Sequence, residues 1–558
     1  MLRAGGLSCP QYYPIYSGAT MKTVYTNGQV YTGNLPLQEA FIVDGDRFTF
    51  AGSNSEALAL AGDAQVVDLG GNFVCCGFND SHMHLTNFGQ SILSARLAPH
   101  TTSLQAMLDY LSDFLAENPR AAGAWLTGRG WNHDYFTDVS RMPSRWDLDR
   151  VSTEVPILMV RCCGHCLVVN SKAMELIGVT VDTPQPEGGR IGIENGELDG
   201  RFFDNAMAYA YNAVPVPSKE DLKQMIRVAC RGLNSYGVTS SQSDDFCVFR
   251  AVPWQTFLEA YHELEEAGEL TVRVYEQSNF TSVEALREFV ESGHVTGVGS
   301  EMFKIGPLKM LGDGSLGART AFMSVPYADD PTTCGFPVFS QETMTEMVSY
   351  ANANNMQVAI HAIGDGCLDY VLNAITHALE EHPRADHRHG VVHCQISRAD
   401  QLQRLIDNNI HIYAQSIFLD YDEHIITARV GEERASTSYS WKTLMRGGLS
   451  VSNGTDCPVE LPNALASMQC GITRCTLDGS VGPYLPDEAF TVQEAIDTYT
   501  IHSAEASFEE SFKGRIAPDF LADFVVLDRN LFSIPANTIK DTAVLSTYLG
   551  GKLVYSAE

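Results

Sequence analysis

The sequence is short of the features that mark membrane, secreted or nucleic-acid-binding proteins. No uninterrupted apolar run in its 558 residues approaches the ~20 residues needed to span a bilayer. Met1 to Thr20 have no apolar core behind a basic start, so no secretory signal is read there. Residues 1–21 read as an irregular extension, and Met21 is an alternative start just ahead of the first strand-like pattern at Lys22. Positive charge is scarce: 37 Lys and Arg face 68 Asp and Glu, a net charge of −31. Such a field repels phosphates and excludes a nucleic-acid partner. It suits a small neutral or cationic substrate.

Cysteine is too sparse for a disulfide scaffold, with 14 in the whole chain. Cys75, Cys76 and Cys230 sit inside apolar runs and read as buried thiols of a reducing, cytoplasmic protein. The run Cys162-Cys163-Gly164-His165-Cys166 concentrates soft ligands, but a structural zinc site wants two separated pairs and no second pair exists. The serine-hydrolase elbow is also missing, because Asp313-Gly314-Ser315-Leu316-Gly317 lacks its first glycine. No strand is followed by a phosphate-cradling loop.

What is present is an ordinary globular composition, 44% hydrophobic and 19% charged. Short strand patterns crowd both ends, and residues 22–72 and 513–558 are expected to join in one small β-sandwich domain. Between them, residues 73–512 alternate apolar strand candidates with amphipathic helices. The eight candidates are Asn72 to Cys76, Gly237 to Gln242, Leu270 to Glu276, Met302 to Leu311, Gln357 to His361, Gly390 to Cys394, His411 to Gln415 and Leu449 to Asn453. This α/β alternation implies a parallel sheet, and eight strands suggest a (β/α)8 TIM-type barrel, although the count alone leaves an open doubly wound sheet as the alternative. The segment at about 97–216, with Trp125, Trp131 and Trp146, breaks the alternation and is expected to cover the pocket.

Polar residues cluster where those strands end. His82 and His84 lie two apart, so a strand would point both to one side. Lys309 sits among Pro307, Leu308, Met310 and Leu311, where an ammonium is costly to bury. A neutral amine there can take up carbon dioxide to become a carbamate, a bidentate oxygen ligand; the competing reading is a lysine that snorkels or pairs with Asp313. His361, His393 and Asp456 close the fifth, sixth and eighth candidates. In a closed barrel such tips converge on one axis, which is where a catalytic metal would sit.

Five stretches carry a family resemblance: Cys76-Gly77-Phe78-Asn79-Asp80-Ser81-His82-Met83-His84, Gly164-His165-Cys166-Leu167-Val168-Val169-Asn170-Ser171, Asp313 to Ala321, His361-Ala362-Ile363-Gly364-Asp365 and Gly454-Thr455-Asp456-Cys457-Pro458. Lys513 to Leu527 adds the return to a small sheet domain. The chain resembles the amidohydrolase superfamily, in its N-substituted formamide deformylase-like branch. That resemblance implies one or two zinc ions: one held by His82, His84 and Asp456, the other by His361 and His393, with carbamylated Lys309 bridging. Two positions depart from the pattern, Asn79 for an aliphatic residue and Cys163 for an aspartate before Gly-His. The expected reaction is hydrolysis of a non-peptide amide-type C–N bond, with Asp456 moving the proton and His165, Trp131 and Asp313 meeting the substrate. Deamination of an amino-heterocycle is the alternative on the same metals, and a non-catalytic metal-binding barrel would be expected to have lost a ligand. A small molecule is the expected partner, and a homodimer the default assembly.

Overall fold

The computed structural model describes residues 22–120 and 123–557, so the extension at 1–21 lies outside the described residues. The described residues fall into two compact units: one is Gly89–Ser218, and the other combines residues 22–88 with residues 219–557.

The larger unit holds the barrel. Its strands are β1 (Phe78–Met83), β2 (Val238–Ser243), β3 (Arg273–Asn279), β4 (Phe303–Leu311), β5 (Val358–Ala362), β6 (Gly390–His393), β7 (His411–Ala414) and β8 (Val451–Asn453). They form one parallel eight-stranded sheet in sequential order. Closure of β8 on β1 comes just past the strand ends, where Asp456 N–H donates to His82 O at 2.8 Å and His84 N–H to Cys457 O at 2.8 Å. The connecting helices bury one face each. Lys219–Ser235 shows why: Leu222, Ile226, Ala229, Cys230 and Leu233 recur at three- and four-residue spacing and are buried together. No helix among the described residues is long and apolar enough to cross a membrane.

Both chain ends meet in a small domain of two sheets. Thr23–Thr26, Ala40–Asp44, Arg47–Gly52 and Gln65–Asp68 make the first; Gln29–Val30, Phe73–Cys76, Phe524–Leu527, Val544–Leu549 and Lys552–Ser556 make the second. Tyr25, Phe41, Phe48 and Val74 from the start of the chain share one apolar cluster with Ile516, Phe524 and Val526 from its end. Here one expectation is corrected. Phe73–Cys76 is not the first barrel strand; it pairs with Gln29–Val30 and Phe524–Leu527 in the small domain. The barrel strand is the polar stretch after Gly77, whose missing side chain leaves room for Thr239. A buried strand reading Phe-Asn-Asp-Ser-His-Met has no apolar signature, because Asp80 and His82 belong to the site it builds and find their partners there.

The Gly89–Ser218 unit, which holds the segment at about 97–216 that breaks the alternation, is a folded body with its own sheet. Ala95–Arg96, Leu126–Trp131, Ile157–Arg161, Cys166–Val169, Glu197–Asp204 and Gly189–Glu194 form a six-stranded sheet. Leu104–Glu117 buries Leu104, Met107, Leu108 and Leu111 in its core.

Barrel and C-terminal segment are joined by buried charge. Arg273 at the start of β3 makes a bidentate pair with Asp523, at 2.6 and 3.0 Å. Glu509 accepts from Lys304 of β4 at 2.8 Å, from Lys513, and from Ser507 at 2.7 Å. Burial pushes the Glu509 carboxyl up, but Lys513 and Lys304 outweigh it and hold it at about 2. Glu509→Gln leaves the buried Lys513 and the partly buried Lys304 without their anion and is expected to cost about 3–5 kcal/mol of stability by urea denaturation. A depressed carboxyl stabilises above its unfolded value and loses that contribution as pH falls toward its folded value. The wild-type advantage over the variant should therefore shrink as pH drops from 4.5 toward 2.

Candidate metal centre

The C-terminal ends of all eight strands contribute a polar side chain to one region. β1 supplies His82 and, one residue beyond, His84; β4 supplies Lys309, β5 His361, β6 His393, and the turn after β8 Asp456. Asp244 follows β2, Gln277 and Asn279 lie on β3, and Gln415 follows β7. Ligand-capable atoms of His82, His393 and Asp456 lie within 4.8 Å of one another, and all three residues are buried. Asp456 Oδ1 is 3.4 Å from His82 Nε2 and 3.1 Å from His84 Nε2. The His361 ring stands 4.5 Å from that of His393, nearly perpendicular to it.

The ring orientations follow from hydrogen-bond logic. Gln277 donates its Nε2 to Ser81 O at 3.0 Å, which turns its Oε1 toward His82 Nδ1 at 2.7 Å. An amide oxygen only accepts, so His82 carries its proton on Nδ1 and points a lone pair from Nε2 toward Asp456. His84 repeats the arrangement by donating Nδ1–H to the Asp244 carbonyl at 2.8 Å. His393 Nδ1 meets Gln415 Oε1 at 2.7 Å. Three imidazoles thus present Nε2 inward.

Electrostatics favours ligation. Burial, followed by the nearby Lys309, holds His82 well below the ordinary histidine value; burial and then His361 do the same to His393. Both rings are neutral, the form that binds a metal. For His84 burial acts downward, but hydrogen bonds to Asp456 and Cys247 win and raise it. Burial would lift Asp456, yet His84 and His82 hold it well below the usual carboxylate range. His84 and Asp456 thus share a proton where a cation would otherwise balance the carboxylate. Lys309 is fully buried and its Nζ has no hydrogen-bond partner; it lies 3.5 Å from Asp244 Oδ2, and Asp244 Oδ1 is likewise unpartnered. Orphaned buried polar atoms beside inward-facing imidazoles fit a centre completed by a divalent ion.

Not every expected residue falls in this cluster. Asp313, rather than Lys309, pairs with His361, at 3.1 Å, and accepts the backbone N–H groups of Phe322, Ile363 and Gly364 at 2.8 to 3.0 Å. It is a buried organiser of the loops after β4 and β5. The competing reading of Lys309 is corrected, since its acidic neighbour is Asp244. Trp131 is fully buried in the core of its own unit and donates Nε1–H to Met159 O at 2.9 Å, so it is a packing residue with no face for a substrate. His165 is exposed on that same unit and pairs with Asp204 at 3.0 Å. Sequence reasoning passed over Asp80, Asp244, Gln277 and Gln415. Only Asp80 carried a signal, through its place in the motif with His82.

Asp80 ties the site together. It is buried, and accepts from His82 N–H at 3.2 Å, Thr455 N–H at 3.1 Å and Thr455 Oγ1 at 2.5 Å. Burial pushes its carboxyl up to about 7 despite those donors.

A closed parallel barrel with imidazoles and carboxylates gathered at its strand tips defines a metal-dependent hydrolase, and the chain belongs to the amidohydrolase family, whose sequence pattern matches residues 65–555. It is 30% identical over 542 residues to YtcJ of Bacillus subtilis, named as an amidohydrolase, spanning 96% of this chain and 99% of that one. It is 25% identical over 532 residues to the N-substituted formamide deformylase of Arthrobacter pascens, 93% of this chain and 95% of that protein. A solved metal-dependent hydrolase of Pyrococcus furiosus superposes with a TM-score of 0.74 at 28% identity, covering 92% of this chain and all of that one.

The seam between β1 and the turn after β8 gives a direct test. A Cβ on Gly454 would lie 2.6 Å from His82 N and 2.8 Å from His82 O, both backbone atoms that cannot swing aside. Gly454→Ala is expected to cost about 1–3 kcal/mol, the usual price of overpacking. Metal content by atomic spectroscopy should fall with it, whereas an unchanged melting temperature and metal content would contradict the seam.

Proposed function

We propose that this hydrolase cleaves a non-peptide amide-type C–N bond of a small molecule, an N-substituted formamide or a related amide. The observation that carries the reading is the convergence of His82, His393 and Asp456, with neutral inward-facing imidazoles, beside an orphaned Lys309. Likeness to a deformylase over nearly the whole chain supports the substrate class.

His82, His84 and Asp456 would hold one divalent ion, His361 and His393 a second, and carbamylated Lys309 would bridge them; zinc suits this nitrogen and oxygen set. Bound there, the metal acidifies water to near neutral pH and polarises the scissile carbonyl. Asp456 would receive the proton released when water attacks and would pass it to the leaving nitrogen. Gln277 and Gln415 keep two of the imidazoles aimed during turnover. For Lys309, a carbamate would turn a buried amine that makes no hydrogen bond into an oxygen ligand for a metal. His165, exposed on the Gly89–Ser218 unit, is the residue of that unit assigned to substrate contact. A cytoplasmic setting agrees with the free thiols of Cys75, Cys76 and Cys230.

Metal analysis of the purified protein should find about one or two zinc-like ions per chain. Lys309→Ala should lose one of them, with recovery of metal content and rate on adding a short carboxylic acid. A panel of N-formyl amines, simple amides and amino-heterocycles then decides the reaction: formate release supports the proposal, ammonia release from the heterocycles replaces it with deamination. A fully active metal-free protein would sink both.

A further inference from the structure

The turn after β2 brings a thiol to the rim of the barrel centre. Asp244 N–H donates to Met83 O at 2.9 Å and Asp245 N–H to Glu276 Oε1 at 3.1 Å. Asp245 Oδ1 in turn accepts the N–H and the hydroxyl of Thr86, at 2.8 and 2.9 Å. The next residue, Phe246, is buried against the rings of Phe257, Phe280 and Phe289. With these neighbours anchored, the Cys247 thiol is held in place: its Sγ lies 3.6 Å from His84 Nδ1 and 3.4 Å from Asp244 O. Cys247 and His84 are half-buried, while Asp244 is fully buried.

His84, Asp244 and Cys247 bring one ligand atom each within 4.8 Å of one another, in a group distinct from His82, His393 and Asp456. The spacing suits an ion. Zinc–sulfur and zinc–nitrogen bonds at the tetrahedral angle place their two ligand atoms about 3.6 Å apart. That is the separation of Cys247 Sγ and His84 Nδ1, 3.6 Å. Asp244 supplies an oxygen: its Oδ2 faces Asn279 Nδ2 at 3.2 Å and Lys309 Nζ at 3.5 Å, but Oδ1 is buried with no partner. On the far side of the ring, His84 Nε2 lies 3.1 Å from Asp456 Oδ1, the kind of carboxylate that a metal-bound imidazole ordinarily has behind it. Thiolate, imidazole and carboxylate together select a soft or borderline divalent ion over magnesium or calcium.

His84 is common to this group and to the set proposed for the catalytic ion, and a neutral imidazole has one lone pair to give. With Nδ1–H donated to Asp244 O, at 2.8 Å, Nε2 is the ligating atom. An ion on Nδ1 moves the ring proton to Nε2, which then donates to Asp456. We propose that Cys247, Asp244 and His84 Nδ1 form a second metal position, which takes a thiophilic divalent ion such as zinc and inhibits the enzyme by withdrawing His84 from the catalytic ion. Binding releases the Cys247 thiol proton to solvent, the imidazole keeps one proton that changes nitrogen, and nothing is oxidised or reduced. The inhibition rests on the place of His84 in the catalytic set; the metal position itself does not.

The probe is cadmium, because cadmium–thiolate bonds absorb in the ultraviolet. The full-length protein, with its exposed thiols removed by Cys162→Ser and Cys163→Ser, should develop a thiolate band on titration. Bound cadmium should also protect Cys247 from alkylation by iodoacetamide, read by peptide mass, a measurement that needs no further variant. Cys247→Ser and Asp244→Asn should each weaken the binding by about 100-fold. Zinc at about ten times its dissociation constant for this position, set by competition with cadmium, should slow the parent about ten-fold. Cys247→Ser, compared with its own rate at catalytic zinc alone, should slow less than about two-fold at that concentration. The absence of a thiolate band, or a Cys247→Ser variant that binds cadmium as tightly as the parent, would overturn the metal position. A parent that keeps its full rate with the position filled would overturn the withdrawal of His84. If no amide is turned over under any condition, the proposed reaction falls, while the cadmium measurements still decide the site.

Discussion

Everything at the metal centre depends on how the first barrel strand is pinned to the turn after the last. Asp80 takes the N–H and hydroxyl of Thr455, Asp456 N–H reaches back to His82 O, and His84 N–H to Cys457 O. These bonds close a sheet that would otherwise have two raw edges, and they do so with backbone atoms of the very residues that present Nε2 and Oδ1 inward. Closure of the barrel and assembly of the site are therefore one event. Gly454 is the condition for it, because any side chain there would occupy the space of His82's backbone.

That constraint explains what could be seen in the sequence. The parallel barrel and most of its strands were legible because seven of them are flanked by helices with a clear buried stripe, as in Lys219–Ser235. The first was misplaced onto Phe73–Cys76, since apolar residues buried in a small sheet look the same as residues buried in a barrel. Its true counterpart is built from Asn79, Asp80, Ser81 and His82, all buried. Asp80 and His82 find their partners in Thr455 and Gln277, and partners more than a hundred residues away leave no local periodicity.

The site divides the same way. Histidines and aspartates at strand ends stand out by residue type, so His82, His84, His361, His393 and Asp456 could be named in advance. The glutamines that orient them could not. Gln277 and Gln415 are common residues whose role rests on one amide orientation, fixed for Gln277 by its bond to Ser81 O. Trp131 shows the opposite failure: a conspicuous aromatic in an irregular-looking segment invited a substrate role, yet its ring fills the core of a separate sheet and its N–H is satisfied by Met159. A buried tryptophan with a met donor is the ordinary outcome of packing.

The charge pattern inside the barrel gives the remaining step. At its N-terminal side the buried ions are matched: Glu509 sits between Lys304 and Lys513, and Arg273 grips Asp523. At its C-terminal side they are not. Asp456 is balanced only by a proton shared with His84, and Lys309 faces Asp244 at a distance too long for a hydrogen bond, with Nζ and Oδ1 both unpartnered. Two ends of one barrel, built from the same strands, thus differ in whether their buried charges are satisfied by the chain alone. Stability asks for the first arrangement and tolerates the second only where something else completes it. The unbalanced end is the one toward which three imidazoles turn their Nε2 atoms, and two of those, on His82 and His393, are free lone pairs.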